Sequence, residues 1–346
     1  MYNKPLPFGR PIAFEGKYEY DFLYPLYIQR ISCSFKLKKG KIPTIQLKHS
    51  FGFLPNEYIE SSNGEIITLT LTNIDLKLFL ENYDIKYEKY DGGFKFKQLY
   101  GLFTEYIDYW STQKINAKKD GNRALYLISK KMLNSLYGKF SKSPHVRSKI
   151  PYLDENGVVC YEITEDKIEK GLYIPIGSFI TSYAREKTIR TSQAIRDYTL
   201  EKYGKDYYIY SDTDSIHMLE LPEEELKQFV DIDDYKLGYW KLENRFKKAK
   251  FIRQKCYLED LVLSEDEYNK GIEKENDGTY SKDENGFYRL VATIAGLPKK
   301  LGKYVNFDNF EIGFSILAND LTKDHKLTYK HVDGGVMLVE TDFTIK

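Results

Sequence analysis

Residues 207–219, YYIYSDTDSIHML, restrict the fold more than any other stretch of the chain. Tyr208 and Ile209 before the acidic pair, and Ile216 and Met218 after it, carry the aromatic and β-branched bias of strands. Asp212 and Asp214 interrupt that run, and an ionised carboxylate is costly to bury without a partner. The pattern predicts two short strands meeting at a polar tip, with the carboxylates at i and i+2 on one face of an extended chain. Like charges that close raise each other's pKa unless a cation lies between them. Two readings follow. One is a turn in which Asp, Thr and Ser cap backbone amides; the other is a divalent-metal site at a hairpin tip.

The chain of 346 residues is long enough for two or three domains or one elaborated enzyme body, and its 42% hydrophobic content supports a sizeable core. No run of about 18 apolar residues occurs, and the start, MYNKPLPFGRP, is polar and Pro-rich, which argues against a membrane span or signal peptide. Cys33, Cys160 and Cys256 lie far apart without a CxxC, so structural zinc and a disulfide framework are not expected and a reducing compartment is. Net charge is +1, but residues 241–257, KLENRFKKAKFIRQKCY, hold seven Lys/Arg against Glu243 alone. Acidic stretches such as PEEE (222–225) and SEDE (264–267) balance it. A basic stripe of this kind suits a groove that follows phosphates, or a solvated helix face.

Strand-like alternation covers 26–48, as in Ile31, Cys33 and Phe35 and then Ile42–Leu47. EIITLTL (65–71) predicts a strand, and Thr72-Asn73 a cap for a helix through Glu81. A helix is expected over 101–114, a polar break at 117–122, and a stronger helix over about 123–137 that Gly138 stops. YLDENGVVCYEI (152–163) reads as a hairpin turning at Asn156-Gly157, and 178–204 as a long helix closed by Gly204. The mixed order points to an α+β fold with an antiparallel sheet.

On the helix at 123–137, Lys130, Asn134 and Tyr137 fall within about 60° of one another, with Tyr126 beside them. Leu125, Ile128, Met132 and Leu136 take the opposite side and are expected to face inward. One face thus offers a cation, an amide and an aromatic ring, groups that suit a triphosphate and a stacked base or sugar.

Three motifs now stand in order. Lys130-x3-Asn134-Ser135-x-Tyr137-Gly138, then Tyr210-x-Asp212-Thr213-Asp214-Ser215, then Lys255-x-Tyr257 resemble motifs B, C and KxY of family B DNA polymerases. The protein-primed phage type, the phi29-like enzymes, is the nearest in look, through FEGKY (14–18), IPTIQ (42–46), LGYW (237–240), RQKCY (253–257) and FTIK (343–346). Thr181-x-x-Ala184-Arg185 is similar to a further motif of that family that contacts primer or template strands.

The resemblance implies a polymerase right hand: 1 to about 100 a first insertion in contact with a priming protein plus the entry to the palm, 101–145 fingers, 146–172 a second insertion tied to strand displacement, 173–297 palm and 298–346 thumb. It implies template-directed DNA synthesis in phage replication, by nucleotidyl transfer from dNTPs with two Mg²⁺ ions, or Mn²⁺ in their place. Asp214 would be the principal metal ligand and Asp212 a supporting one. Lys130, Asn134, Tyr137 and Lys114 would bind the nucleotide, Lys255 and Tyr257 the primer end, and Arg253, Lys250, Thr181 and Arg185 the DNA. The implied partners are primed template DNA, dNTPs and a priming terminal protein, and the implied location is the cytoplasm of a bacterial host.

The family's first carboxylate motif, Asp-x-x-Ser-Leu-Tyr-Pro, has no match in register. YDFLYPLY (20–27) places Asp21 four residues before Pro25 where the motif needs six, so Asp21 is expected to be a surface residue at a strand start. In register the motif would end just before Met1, and the proofreading exonuclease domain is likewise not part of the match. Three explanations stand side by side: a polymerase split over two polypeptides, a gene interrupted or truncated just after that motif, or a longer protein of which these residues are a part. The working expectation is that a separate amino-terminal fragment supplies the missing Asp. The competing reading is a non-catalytic remnant that binds primed DNA and the priming protein. A reverse transcriptase or RNA polymerase is disfavoured, because DTD replaces an adjacent Asp-Asp and Tyr137 suits discrimination against a 2′-hydroxyl.

Overall fold

A computed structural model describes residues 4–46, 58–143, 145–157, 159–169, 171–318, 326–332 and 335–345. The chain divides into two compact units, Met1–Val146 with Ile168–Lys241, and Arg147–Lys167 with Leu242–Lys346.

In the first unit, β1 (Leu6–Phe14), β2 (Leu26–Leu37), β3 (Ile67–Thr72) and β4 (Tyr83–Leu99) form an antiparallel sheet in the order β1-β4-β2-β3. Ile31, Cys33 and Phe35 alternate inward on β2 and meet Phe79 and Tyr83, all at most 4% exposed. The strand ends at Leu37, short of the expected 48, because a turn containing Gly40 at φ +80° and then Pro43 break the pairing. Leu47 and Lys48 lie outside the described residues.

Helix α1 (Asn73–Asn82) follows with Thr72 as its cap, accepting the Asp75 N–H. It holds no basic residue in its last turn; Lys38 Nζ donates instead to the Leu80 and Glu81 carbonyls, both at 3.0 Å. Helices α2 (Thr104–Lys119) and α3 (Arg123–Phe140) form an antiparallel arm. The expected polar break shrinks to Asp120–Asn122, since Ala117 is 1% exposed and keeps the chain helical, while Asn122 caps α3 by accepting the Leu125 N–H. Gly138 does not stop α3, which runs on to Phe140, whose ring packs 5.3 Å from Phe103. Ile128 does not face inward; it is 53% exposed and Ser129 is the buried residue. Tyr106 of α2, donating to the Met132 carbonyl at 3.0 Å, sets the contact stripe one residue round from the hydrophobic one.

Strands β5 (His145–Val146), β6 (Lys149–Leu153), β7 (Val159–Ile163) and β8 (Lys167–Ile168) come next, and β6 and β7 pair with Leu153 opposite Val159. Gly157 adopts φ +77° in their connection, which is longer than a two-residue Asn-Gly turn. Helix α4 (Pro175–Tyr203) ends at Gly204 in the left-handed conformation, as its sequence predicts. Its Ile176 and Phe179 pack with Leu6, Leu26 and Phe96 of the sheet. The hairpin β9 (Tyr208–Asp212) and β10 (Ser215–Met218) follows, then the short helix α5 (Glu223–Leu226) built from the PEEE stretch.

In the second unit the basic stripe forms an extended strand rather than a helix. β11 (Phe246–Arg253), β12 (Cys256–Leu263), β13 (Tyr280–Asp283) and β14 (Gly286–Ile294) give an antiparallel sheet in the order β11-β12-β14-β13. The acidic SEDE stretch is the capping box of α6 (Glu265–Lys274), with Ser264 and Glu267 satisfying each other's backbone N–H groups. A 3₁₀ turn (Lys299–Tyr304) and strands β15 (Ser315–Ile316), β16 (Leu327–Val332), β17 (Gly335–Glu340) and β18 (Phe343–Thr344) complete it. Cys256, Leu258 and Ile294 share one core with Leu301, Phe310, Ile316, Phe343 and Ile345, so residues 301–316 and 343–345 fold onto this sheet. The architecture is α+β with antiparallel sheets.

Candidate active site

Asp212 ends β9 opposite Ser215, and Thr213-Asp214 form the turn between them. Thr213 has φ +49°, a conformation that β-branched residues avoid. The chain is therefore not extended between the two carboxylates, and they flank a tight turn instead of sharing a strand face. Local hydrogen bonds enforce this. The Asp214 N–H donates to the Asp212 carbonyl at 2.6 Å, Ser215 Oγ donates to the same carbonyl at 3.1 Å, and Thr213 Oγ1 donates to Asp212 Oδ1 at 3.0 Å. The capping network uses Asp212. Among the described residues, no side-chain hydrogen bond or ion pair involves the exposed Asp214 carboxylate.

The turn is held from below by α4, where the Thr188 hydroxyl shares its one proton between the Thr213 carbonyl at 2.9 Å and the Ala184 carbonyl of its own helix at 3.1 Å. Seven residues earlier on the same helix, Thr181 Oγ1 donates to the Gly177 carbonyl at 2.9 Å and meets the Tyr137 hydroxyl at 3.1 Å. Thr181 has one proton and gives it to Gly177, so Tyr137 is the donor in that pair. A seven-residue spacing puts Thr181 and Thr188 on one face of α4, about 10 Å apart along its axis. One rigid helix thus anchors both the acidic turn and the aromatic end of the Lys130–Tyr137 face. Gly177 makes the approach of α3 possible, since a Cβ there would lie 2.5 Å from Ser141 Oγ and 2.6 Å from the Phe140 carbonyl oxygen. Thr188 and Gly177 were not singled out from the sequence, although the Thr181/Thr188 repeat was a usable signal.

Lys130 and Asn134 are exposed and, with Leu127, Lys131 and Ser135, line a shallow depression of about 470 Å³. Lys114 stands with its Nζ 6.0 Å from the centre of the Tyr126 ring, between α2 and α3. Arg185 is 23% exposed and its guanidinium pairs with the Asp75 carboxylate, which also accepts from Ser182 Oγ at 2.6 Å. Burial raises the Tyr58 pKa, opposed by the charge of Arg185 and by a hydrogen bond from its guanidinium. Lys255 occupies the β11–β12 turn at φ +55°, its carbonyl accepting the Ala295 N–H at 2.9 Å. The Tyr257 ring stacks on Phe251 at 5.2 Å. Arg253 pairs across the hairpin with Cys256, and Lys250 Nζ lies 6.0 Å from the Phe310 ring centre. These four belong to the second unit.

Asp21 is not at a strand start but in the turn before β2, where Lys95 Nζ approaches its carboxylate to 2.7 Å. The hydrogen bond from Lys95 holds the Asp21 carboxyl below the usual Asp range. It is occupied as an ion-pair partner. Among the described residues no group of three or more His, Cys, Asp or Glu side chains comes together, and no helix is long and apolar enough to cross a membrane.

A family described as DNA polymerase type B, organellar and viral, matches residues 1–231. The chain is 43% identical over 351 aligned residues to the DNA polymerase of Bacillus phage phi29 and 32% identical to that of Streptococcus phage Cp-1. The whole chain aligns in both cases, but it covers 55% and 54% of those proteins, so it spans about half the length of the curated relatives it matches. Its fold superposes on phi29 DNA polymerase complexed with primer-template DNA and incoming nucleotide substrates with a TM-score of 0.82 and 41% identity, again over 100% of this chain and 55% of that one. The chain belongs to the type B DNA polymerases of organelles and viruses.

Proposed function

We propose that this chain is the polymerase body of a protein-primed phage replicase, which joins a dNTP to a primer end under template direction. The observation that carries the reading is the shared anchoring on α4, which presents the Asp212–Asp214 turn and the Tyr137 end of α3 on one helix face. In this reading, and by the right-hand layout implied by the resemblance, residues 101–145 act as fingers, 173–297 as most of the palm, 298–346 as thumb, and the segments up to 100 and 146–172 as insertions. The solved relatives with primer-template DNA and incoming nucleotides support DNA and dNTPs as partners.

Two carboxylates on a tight turn fit Mg²⁺, which takes one or two protein carboxylates and completes its shell with water and phosphate oxygens. Asp214 and Asp212 would hold it, with Mn²⁺ as substitute, and bound ions would neutralise the charge of the transferring phosphate. Lys130 and Asn134 then bind the triphosphate, with Lys114 in support, and Tyr137 lies flat against the nucleotide and crowds its sugar at the 2′ position. Thr181 orients Tyr137, and Arg185 secures α4 beneath the DNA. Lys255 and Tyr257 hold the primer end, and Arg253 and Lys250 continue the phosphate track. The priming terminal protein is the initial partner, and the reaction runs in the cytoplasm of a bacterial host.

Primer extension with dNTPs and Mg²⁺, using this chain mixed with a polypeptide bearing the Asp-x-x-Ser-Leu-Tyr-Pro motif, tests this. Extension is expected, and Asp214→Ala should abolish it without weakening binding to primed DNA. Ribonucleotides should be rejected. No extension in any mixture, with Asp214→Ala binding primed DNA as well as or better than the parent, would instead establish a DNA-binding remnant.

A further inference from the structure

The α2–α3 arm buries little of itself: among the described residues of its two helices only Ile107, Ala117 and Ser129 are buried. Elements with so little burial open easily. At its base the arm is tied to α4 through Tyr137–Thr181 and the Gly177 contact. At its tip, Lys118 Nζ lies 4.5 Å from the centre of the Tyr235 ring. Tyr235 belongs to a preformed loop, in which Asp233 Oδ1 accepts the Tyr235 and Lys236 N–H groups at 2.8 Å, and Asp231 and Asp233 pair with the backbone of Trp240. The far end of that loop returns to α4. Lys187 Nζ donates to the Gly238 carbonyl and lies 5.1 Å from the Trp240 ring centre. Lys187 is the residue immediately before Thr188, which holds the acidic turn. The arm is therefore fastened to one helix at both ends, directly at its base and through the 231–240 loop at its tip.

We propose that Lys118 and Tyr235 are a positioning pair that fixes the setting of the arm, and with it the Lys130–Tyr137 face, over α4. The pair's role in nucleotide binding rests on the polymerase reading above; its role in holding the arm does not. An exposed cation–π contact changes an opening equilibrium by about two- to fivefold. Amide hydrogen exchange of the chain without nucleotide reads this directly. Tyr235→Leu should speed exchange by about two- to fivefold across residues 112–126, with α1 unchanged. Lys118→Met should do the same and Lys118→Arg should not. Lys118 also suits the negative end of the α2 dipole, but Tyr235→Leu leaves that role intact. Unchanged exchange in Tyr235→Leu, or Arg and Met variants that behave alike, overturns the proposal.

Retention of a dNTP with Mg²⁺ by the complex of this chain with primed DNA then tests the nucleotide half. Tyr235→Leu should weaken retention by the same factor as the exchange change, and unaltered retention overturns that half. Should Lys130→Gln also leave retention untouched while the exchange pattern holds, the nucleotide reading of the arm fails and the pair still stands as its fastening.

Discussion

Asp75 lies three residues past the cap of α1, a position where acidic residues commonly face water, yet its carboxylate turns inward to Arg185 and Ser182. Removing one partner of a poorly exposed ion pair leaves the other charge stranded. Asp75→Asn should therefore lower unfolding free energy by about 3 kcal/mol in urea titrations, and Arg185→Met combined with it should cost less than the two single changes summed. Asp21 and Lys95 form a second pair with a distinct pH signature. The Asp21 carboxyl is lowered chiefly by the hydrogen bond from Lys95, and the Lys95 ammonium is raised chiefly by the same bond. The Asp contribution is complete above its ordinary value of 3.8 and is lost as pH falls through the lowered folded value. The Lys contribution is present below 10.5 and is lost as pH climbs through its raised value. The stability difference between the parent and Asp21→Asn should accordingly shrink at acid pH, as read from denaturation midpoints across pH 2–6.

Among the elements, the ends of α1 and α4 follow from residues next to them: Thr72 accepts the third amide of its helix, and Gly204 adopts φ +65°. The end of α3 does not. Gly138 is stepped over because nothing crowds the helix there, while Phe140 gains an aromatic contact. The glycine that matters is Gly177, on the other helix, and no local rule marks it. Gly177→Ala should destabilise the first unit by about 1–3 kcal/mol, although Ala is the better helix former. It should also separate Tyr137 from Thr181, which a change in the near-ultraviolet tyrosine signal would report. A Thr188→Val variant, isosteric but unable to donate, should release the Thr213 carbonyl and loosen the acidic turn without unfolding α4.

For the whole molecule, a net charge of +1 means that any grip on DNA comes from placement of charge and not from its total. Lys247 of the basic strand is partly neutralised by Asp260 and Asp283 and covers the Tyr288 ring at 3.3 Å. Lys250 faces an aromatic ring rather than a carboxylate. Lys250→Gln should reduce the slope of log affinity for primed DNA against log salt by about 1, whereas Lys247→Gln should leave that slope nearly unchanged. Binding curves at several salt concentrations distinguish the two lysines.

The sequence alone was enough for the α+β class, the capped start of α1 and end of α4, the strand pair around Asp212 and Asp214, and the family, because turn chemistry, capping and motif spacing act over a few residues. Three things required the tertiary structure: the left-handed Thr213 in the turn between the carboxylates, the inward turn of Arg185 to Asp75 across 110 positions, and the packing of residues 301–316 and 343–345 on the β12–β14 sheet. Each of these is settled by which surfaces meet when the chain collapses. Burial and steric fit between distant segments then override what any single segment prefers.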